Sequence, residues 1–173
     1  MAEEYVILVD ENDRQIGTMG KLEAHEKALR HRAFSIFVTR KNADGQTEYL
    51  LQQRNPEKYH SGGLWANSCC GHPRPGEDTA DGARRRLYEE TGLDLHNLQE
   101  IGVFTYKAAL DKGLTEYEVD HVFTAEWNGE TLNPAPQEIM ATAWLTRQQI
   151  TNELNASPHK FAAWFAKAFH RII

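Results

Sequence analysis

Short apolar runs separated by turn residues dominate the first third of the chain. Residues 5–9 (YVILV) and 33–39 (AFSIFVT) are typical of β-strands. Residues 48–53 follow the turn signal Asn42-Ala43-Asp44-Gly45 and are predicted to return as the hairpin partner of residues 33–39. Two weaker segments complete this part, a returning strand at 15–19 and a short helix at 21–30.

The middle of the chain combines a long irregular segment with a helix. Residues 54–76 are predicted to be irregular because prolines and the pair Gly62-Gly63 recur along them, and a loop this long inside a compact domain is often functional. A helix is predicted from Asp78 to Thr91, with Asp78 or Thr79 as its cap and Gly92 at its end. Strands at 100–106, 117–127 and 141–145 and a helix at 158–173 complete a mixed α/β pattern.

Length, charge and cysteine content narrow the class of protein. The chain has 173 residues, 40% of them hydrophobic, and lacks a linker-like stretch, so we expect one domain over residues 1–173. The net charge of −6 argues against a nucleic-acid partner. No run approaches the ~20 apolar residues of a membrane span, and nothing requires more than a monomer.

Two further features favour the cytoplasm. The acidic start, Met1-Ala2-Glu3-Glu4, is unlike a secretory signal, which begins with a basic stretch followed by a long apolar run. The two cysteines, Cys69 and Cys70, are neighbours and close no useful loop, which suits a reducing compartment.

Three histidines and two glutamates form a candidate metal site. Glu116 and Glu118 lie two apart in a strand-like segment, so both carboxylates are predicted to share one face. With His25, His31 and His72 they form a nitrogen–oxygen ligand set that suits Mg²⁺, Mn²⁺ or Zn²⁺. Taken alone, however, these residues are more typical of solvated histidines and an acidic strand edge.

The segment Asn67-Ser68-Cys69-Cys70-Gly71-His72-Pro73 places a cysteine two residues before a histidine in a turn-rich loop. A cysteine with a shifted pKa can act as a nucleophile or as an acid or base. A free cysteine is more commonly a small buried hydrophobe. The adjacent pair indicates one reactive cysteine and one that only packs.

Residues 71–93 carry the strongest motif, GHPRPGEDTADGARRRLYEETGL, which resembles the Nudix box. The positions that fit the box are Gly71, Glu77, Arg85, Leu87, Glu89, Glu90, Gly92 and Leu93. In such a box, a loop leads into a helix whose carboxylates face a diphosphate through a divalent ion.

One departure from the box changes the expected chemistry. The box has a glutamate directly after its arginine, and this chain has Arg86 there. A cation at this position weakens a metal site built for hydrolysis but suits phosphate oxygens. Arg86 and Glu90 lie four residues apart on one helix face, where an ordinary surface ion pair is the alternative.

The altered box, preceded by Asn-Ser-Cys-Cys-Gly-His-Pro, resembles the type 1 isopentenyl-diphosphate isomerase family. The resemblance extends to VILVDENDRQIGT, RHRAFS and TEYE, and so covers nearly the whole chain. It implies an α/β (α+β) Nudix-type fold, a mixed β-sheet sandwiched by helices, with family-specific N- and C-terminal additions.

The resemblance also implies roles for individual residues. The catalytic groups would be Cys70, Glu118 and Tyr106. The metal ligands would be His25, His31, His72, Glu116 and Glu118, while Glu90 would help hold a Mg²⁺ bound with the substrate diphosphate. The substrate-binding residues would be Lys21, Arg54, Lys58 and Arg86 at the diphosphate and Trp164 at the hydrocarbon end. The remaining histidines are predicted to be structural or solvated: His60, His96, His121, His159 and His170.

The implied reaction interconverts isopentenyl and dimethylallyl diphosphate in isoprenoid biosynthesis. It moves a double bond by adding one proton and removing another, through a tertiary carbocation. Such a reaction needs an acid and a base on two faces and the exclusion of water. An aromatic ring stabilises a desolvated cation by ~2 kcal/mol, which would suit Trp164, although packing is the commoner fate of such a residue.

Three alternatives remain. A Nudix hydrolase would share the fold and metals, but Arg86 and the Cys70/His72 motif count against it. A non-catalytic module with a structural metal would more usually be thiolate-rich. A flavin-dependent isomerase would need a barrel, for which this chain is too short.

Overall fold

The computed structural model describes residues 4–173, without the side chain of residue 172. Residues 1–3, which belong to the predicted domain and to the acidic start, lie outside the described residues. Nine strands of this described part form one mixed sheet. They are β1 (Tyr5–Val9), β2 (Gln15–Gly20), β3 (His31–Lys41), β4 (Thr47–Arg54), β5 (Trp65–Ala66), β6 (Cys69–Gly71), β7 (Gln99–Ala109), β8 (Thr115–Glu126) and β9 (Ile139–Thr146).

Four helices accompany the sheet in the same residues. They are α1 (Lys21–Glu26), α2 (Thr79–Thr91), α3 (Arg147–Ala156) and α4 (Ala163–Ile172), and a 3₁₀ turn at Pro158–Lys160 precedes α4. None of these helices is long and apolar enough to cross a membrane.

Strand β3 organises the sheet because several neighbours pair with it. It runs antiparallel to β1, β4 and β6 and parallel to β8. Strand β8 in turn pairs with β7, and β4 with β9. The parallel register sets His31 opposite Glu118, so two predicted metal ligands lie side by side.

Side chains of β3 alternate between two cores. Phe34, Ile36 and Val38 pack under α2, whereas Phe37 joins the core that α3 and α4 cover. The period-2 alternation of a strand produces this division. The sheet therefore lies between helices on both faces, as predicted.

Three predictions of local structure need correction. Residues 54–76 are not wholly irregular, since β5 and β6 are short strands within them, of two and three residues, too short to show a period. The predicted helix at 158–173 is interrupted, because residues 158–160 form a 3₁₀ turn before α4. The predicted helix at 21–30 ends at Glu26, and Ala28 has a positive φ of 55°.

The ends of α2 follow the predicted signals. Asp78 caps the helix by accepting hydrogen bonds from the backbone N–H groups of Ala80 and Asp81. Gly92 ends it at a φ of 77°, which a residue with a Cβ adopts only under strain. An added Cβ would also lie 2.9 Å from the Cβ of Asn133.

We therefore expect Gly92→Ala to lower the free energy of unfolding by about 2–3 kcal/mol, from backbone strain and overpacking together. The matched control is Gly45→Ala, since Gly45 has a φ of 78° but open space around it, and should cost only ~1 kcal/mol. Urea denaturation of both variants measures the difference. Equal losses would show that the contact with Asn133 contributes nothing.

Candidate active site

A cavity of about 500 Å³ opens between the box helix α2, the loop before β5 and strand β8. Most of the predicted site residues line it: Lys21, Arg54, Lys58, Cys70, His72, Arg86, Glu90, Glu116, Glu118 and Trp164. His25, His31 and Tyr106 are buried behind this wall, in contact with the carboxyl groups that face the cavity. The structure thus brings all thirteen predicted residues into one region.

Glu116 and Glu118 extend from the same face of β8, as their spacing predicts. The Tyr106 hydroxyl hydrogen-bonds Glu118 Oε1 at 2.7 Å and also contacts Glu116. Burial, together with the neighbouring Glu118 charge, raises the pKa of Glu116 well above its usual range.

Four ligand atoms converge at the inner end of the cavity. Those of His25, His31, His72 and Glu118 all lie within 4.8 Å of one another. Glu118 Oε2 is 3.1 Å from His31 Nε2 and 2.9 Å from His72 Nε2. Burial lowers the pKa of His72 to about 4 and also lowers that of His25, so both rings are neutral near pH 7.

The orientation of these rings fits a bound cation. The carbonyl oxygens of Lys21 and Leu29 lie 2.7 and 2.8 Å from the Nδ1 atoms of His25 and His31, and can only accept. Each Nδ1 therefore carries the proton, and each Nε2 turns a lone pair toward the cluster. His25 Nε2 is buried and has no hydrogen-bond partner among residues 4–173 as described. A divalent ion would satisfy these lone pairs and the Glu118 carboxylate together.

The outer end of the cavity is cationic, and three of its cations, Lys21, Lys58 and Arg86, already contact acidic side chains. Lys21 Nζ lies 2.6 Å from Glu4 Oε2. Lys58 and Arg86 both contact Glu138, and Arg86 Nη2 is also 2.6 Å from Glu90 Oε2. Although burial opposes the charge, these carboxylates raise the pKa of Arg86 above its ordinary value, so it is a permanent cation.

The two cysteines face different surroundings. Cys69 is fully buried in the core beneath α2, whereas Cys70 lines the cavity. Burial, then the nearby Asp120, raises the pKa of the Cys70 thiol, which therefore keeps its proton near neutral pH. These positions match the division that the adjacent pair indicates, one cysteine facing the chemistry and one packed.

Sequence reasoning missed the polar groups that surround Cys70. Asn67 Oδ1 lies 3.1 Å from the thiol and accepts a hydrogen bond from the Trp164 indole N–H. Ser35 Oγ lies 3.7 Å from the thiol and 2.7 Å from Asp120 Oδ2. Asp120 continues the alternation of Glu116 and Glu118, so the period of β8 was the signal that could have identified it.

His60 is predicted to be structural or solvated, and its side chain is buried and lines the cavity. Its Nε2 is 3.5 Å from Glu116 Oε2. The His96, His159 and His170 rings belong to exposed residues, and His121 lies in a peripheral cluster with Asp13 and Glu100.

Comparison with known proteins identifies the class. The family model described as the NUDIX domain matches residues 29–165. A Deinococcus radiodurans protein, DR0079, superposes with a TM-score of 0.77 at 18% identity, covering 98% of this chain and 99% of its own. A Nudix hydrolase from M. smegmatis, RenU, gives a TM-score of 0.61 at 18% identity, covering 98% and 92%. The chain therefore has the mixed α+β Nudix fold that the box predicts.

Curated relatives define the family more narrowly. An isopentenyl-diphosphate delta-isomerase of Serratia proteamaculans is 47% identical over 94% of this chain and 88% of its own length. Isopentenyl-diphosphate delta-isomerase 2 of Aromatoleum aromaticum is 43% identical over 99% and 87%. The chain belongs to the isopentenyl-diphosphate delta-isomerase family, and the predicted resemblance is confirmed.

The orientation of the histidines generates a prediction about metal. Adding Mn²⁺ or Zn²⁺ to chelator-treated protein should raise the melting temperature, because an ion bound only by the folded state stabilises it by ~2.7 kcal/mol at 100 times its dissociation constant. His25→Ala should lose this response. His159→Ala, a change at an exposed histidine, should keep it. Calorimetry with and without metal measures the shift, and an equal response of His25→Ala would exclude these ligands.

Proposed function

We propose that this protein interconverts isopentenyl diphosphate and dimethylallyl diphosphate by metal-dependent protonation and deprotonation, in isoprenoid biosynthesis. One observation carries the proposal: the Cys70 thiol and the Glu118 carboxyl group line the same cavity, whose outer end is cationic. The reaction needs a pair of proton-transferring groups and an anchor for a diphosphate. The names of the curated relatives support the same substrate class.

The cations at the mouth supply the anchor. Lys21, Lys58, Arg54 and Arg86 would bind the diphosphate oxygens, and Arg86 can offer two parallel N–H groups. Glu90 would share a Mg²⁺ with the diphosphate. Its carboxyl group is held by Gln52 Nε2 at 3.0 Å and by Arg86, which supports a fixed orientation toward the cavity.

The inner cluster would hold a second divalent ion, Mn²⁺, Mg²⁺ or Zn²⁺, through His25, His31, His72, Glu116 and Glu118. When bound, such an ion supplies positive charge that keeps the carboxyl groups ionised and fixes their orientation.

Proton transfer falls to the chain's own groups. Cys70 and Glu118 would act on the two faces of the five-carbon unit, one giving a proton while the other removes one. Tyr106 would hold Glu118 in place through its 2.7 Å hydrogen bond. The raised pKa of Cys70 supports a resting thiol that is ready to donate.

Trp164 would face the hydrocarbon end. Its ring is nearly buried, and its indole N–H is committed to Asn67, which fixes the plane of the ring. The Arg54 guanidinium lies 5.1 Å from the ring centre. An aromatic wall stabilises a developing carbocation without offering it a nucleophile.

A Nudix hydrolase acting on nucleotides is the second candidate, supported by the shared fold alone. Arg86 argues against it. The box has a carboxylate at this position, whereas in this chain the Arg86 guanidinium contacts Glu90.

We also propose that the active form is a cytoplasmic monomer without nucleic-acid or membrane partners.

The direct test is to incubate the protein with isopentenyl diphosphate, Mg²⁺ and Mn²⁺ in D₂O and to follow the double bond and deuterium uptake by NMR. We expect dimethylallyl diphosphate from the wild type and about a 10²–10⁴-fold loss of rate in Cys70→Ala, because a proton-transfer group contributes ~10²–10⁴-fold. Cys69→Ala is the matched control and should stay active. Intact substrate without exchange, together with phosphate release from nucleoside diphosphate compounds, would favour the hydrolase instead.

Arg86 allows a test of the diphosphate anchor. Arg86→Met should raise KM, and the inhibition constant of inorganic pyrophosphate, by about 10–100-fold, because hydrogen bonds to charged groups contribute ~1.5–3 kcal/mol. Arg84→Met on the same helix is the control, since Arg84 contacts Asp94 and His96 rather than the cavity. Steady-state kinetics decide the matter. A lower kcat with unchanged KM and pyrophosphate inhibition would remove Arg86 from the anchor.

A further inference from the structure

His60 lies beside the predicted metal ligands, although the resemblance assigns it no role. Its Nε2 atom, Glu116 Oε2 and the ligand atom of His25 all lie within 4.8 Å of one another. His25 therefore belongs to two groups, this one and the group that contains His31, His72 and Glu118. Because the Nδ1 of His25 is committed to the Lys21 carbonyl, its single free nitrogen joins both groups.

Within each group, one distance between ligand atoms is close to that expected for neighbouring ligands of an ion. Neighbouring ligands about 2.1 Å from an octahedral ion are separated by about 3.0 Å. His60 Nε2 is 3.5 Å from Glu116 Oε2, and His72 Nε2 is 2.9 Å from Glu118 Oε2. The His60 ring stacks on the His25 ring, with centres 5.6 Å apart and planes at 28°. The two groups share His25 but are separate in the structure, and an inward movement of His60 and Glu116 would join them around one ion.

The His60 side chain has one nitrogen to spare. Its Nδ1 is 2.9 Å from the Ser61 hydroxyl, and among the described residues its Nε2 makes no hydrogen bond. The ring is also buried, and its Nε2 is directed toward the Glu116 carboxyl group. In the tautomer in which Nδ1 donates to the Ser61 hydroxyl, the Nε2 lone pair faces this carboxylate, and a cation between them would relieve the repulsion.

The backbone holds His60 in this inward position at some cost. Ser61 has a positive φ of 55°, a conformation that is strained for a residue with a Cβ. Its N–H is bound by Asp111 at 2.9 Å, and the His60 carbonyl accepts a hydrogen bond from Arg54 at 3.1 Å. Next to it, a Cβ on Gly62 would lie 2.2 Å from the carbonyl oxygen of Pro56. Strain maintained by several contacts is typical of functional sites.

We infer that His60 is the sixth ligand of the ion held by His25, His31, His72, Glu116 and Glu118, and that it closes the coordination sphere to water. The inference rests on the proposed metal-dependent isomerase. An ion with an open position binds a water molecule and lowers its pKa, which creates a nucleophile. Beside a carbocation such a nucleophile would divert the reaction to an alcohol. Six protein ligands leave the ion its electrostatic role without that side reaction.

Water-proton relaxation of the Mn²⁺-loaded protein tests this, because Mn²⁺ relaxes chiefly the water bound directly to it. The experiment uses one equivalent of Mn²⁺ and no diphosphate. We expect low relaxation in the wild type and, in His60→Ala, an increase that corresponds to one bound water. The Mn²⁺ affinity of His60→Ala should also fall by at least about 10-fold.

Two variants serve as controls. His159→Ala should match the wild type in relaxation and affinity, and His25→Ala should lose the site. Two results would overturn the inference. The first is a wild-type complex whose water relaxation already corresponds to one water molecule bound to Mn²⁺. The second is a folded His60→Ala variant with the same relaxation and the same Mn²⁺ affinity as the wild type. His60→Asn serves if thermal melting shows that His60→Ala is unfolded.

The isomerase assay on the same wild-type preparation separates the two proposals. If the wild type isomerises the substrate but its Mn²⁺ binds a water molecule, only the role of His60 is excluded. If the Mn²⁺ binds no water but the protein does not isomerise the substrate, the role of His60 stands and the proposed function is excluded.

Discussion

Burial of acidic side chains on one face of β8 is the constraint on which the rest of the structure depends. Glu116, Glu118 and Asp120 are each less than one-tenth exposed, and an isolated buried carboxylate is costly in a medium of low dielectric constant. Each one therefore requires a partner from a neighbouring element. Tyr106 from β7, His31 and Ser35 from β3, and His72 after β6 provide them. The pairing of β3 with β6 and β8 places these partners next to the acidic side chains. The same strand pairing therefore forms both the sheet and the site.

At the outer end of the cavity, positively charged side chains likewise need partners of opposite charge. A cluster of cations without substrate would repel itself, and acidic side chains from distant parts of the chain relieve this. Glu138 contacts both Lys58 and Arg86, while Glu4 contacts Lys21. A diphosphate entering the site therefore exchanges partners with carboxylates rather than filling an uncompensated positive field. This exchange limits affinity but keeps the folded protein stable in the absence of substrate.

The sequence predicted elements whose period or caps are strong, and it predicted where the chemistry lies. The strands at β3, β4 and β8 and the helix α2 with Asp78 and Gly92 at its ends follow from local patterns. The choice of Cys70 over Cys69 came from the family resemblance. Helix α3 escaped notice, although Thr146 and Gln149 form a capping box that marks its start.

What the sequence could not provide were contacts made across the sheet. His60 follows no period and enters the site only because the turn at Ser61 is held by Asp111. Asn67 and Ser35 carry ordinary side chains, and only the tertiary structure shows that both meet the Cys70 thiol. Such residues are selected by three-dimensional proximity, which a pattern along one strand does not encode.

The opposite orientation of the two adjacent cysteines has a consequence for oxidative damage. Successive residues of a strand point to opposite faces, so Cys69 is sealed beneath α2 while Cys70 faces the cavity. The chain has no other cysteine. If Cys70 is oxidised to a sulfenic acid, no internal thiol is positioned to trap it as a disulfide, and further oxidation is irreversible. Repair therefore depends on a small thiol that can enter the cavity, and a bound substrate, by filling the same space, protects the sulfur.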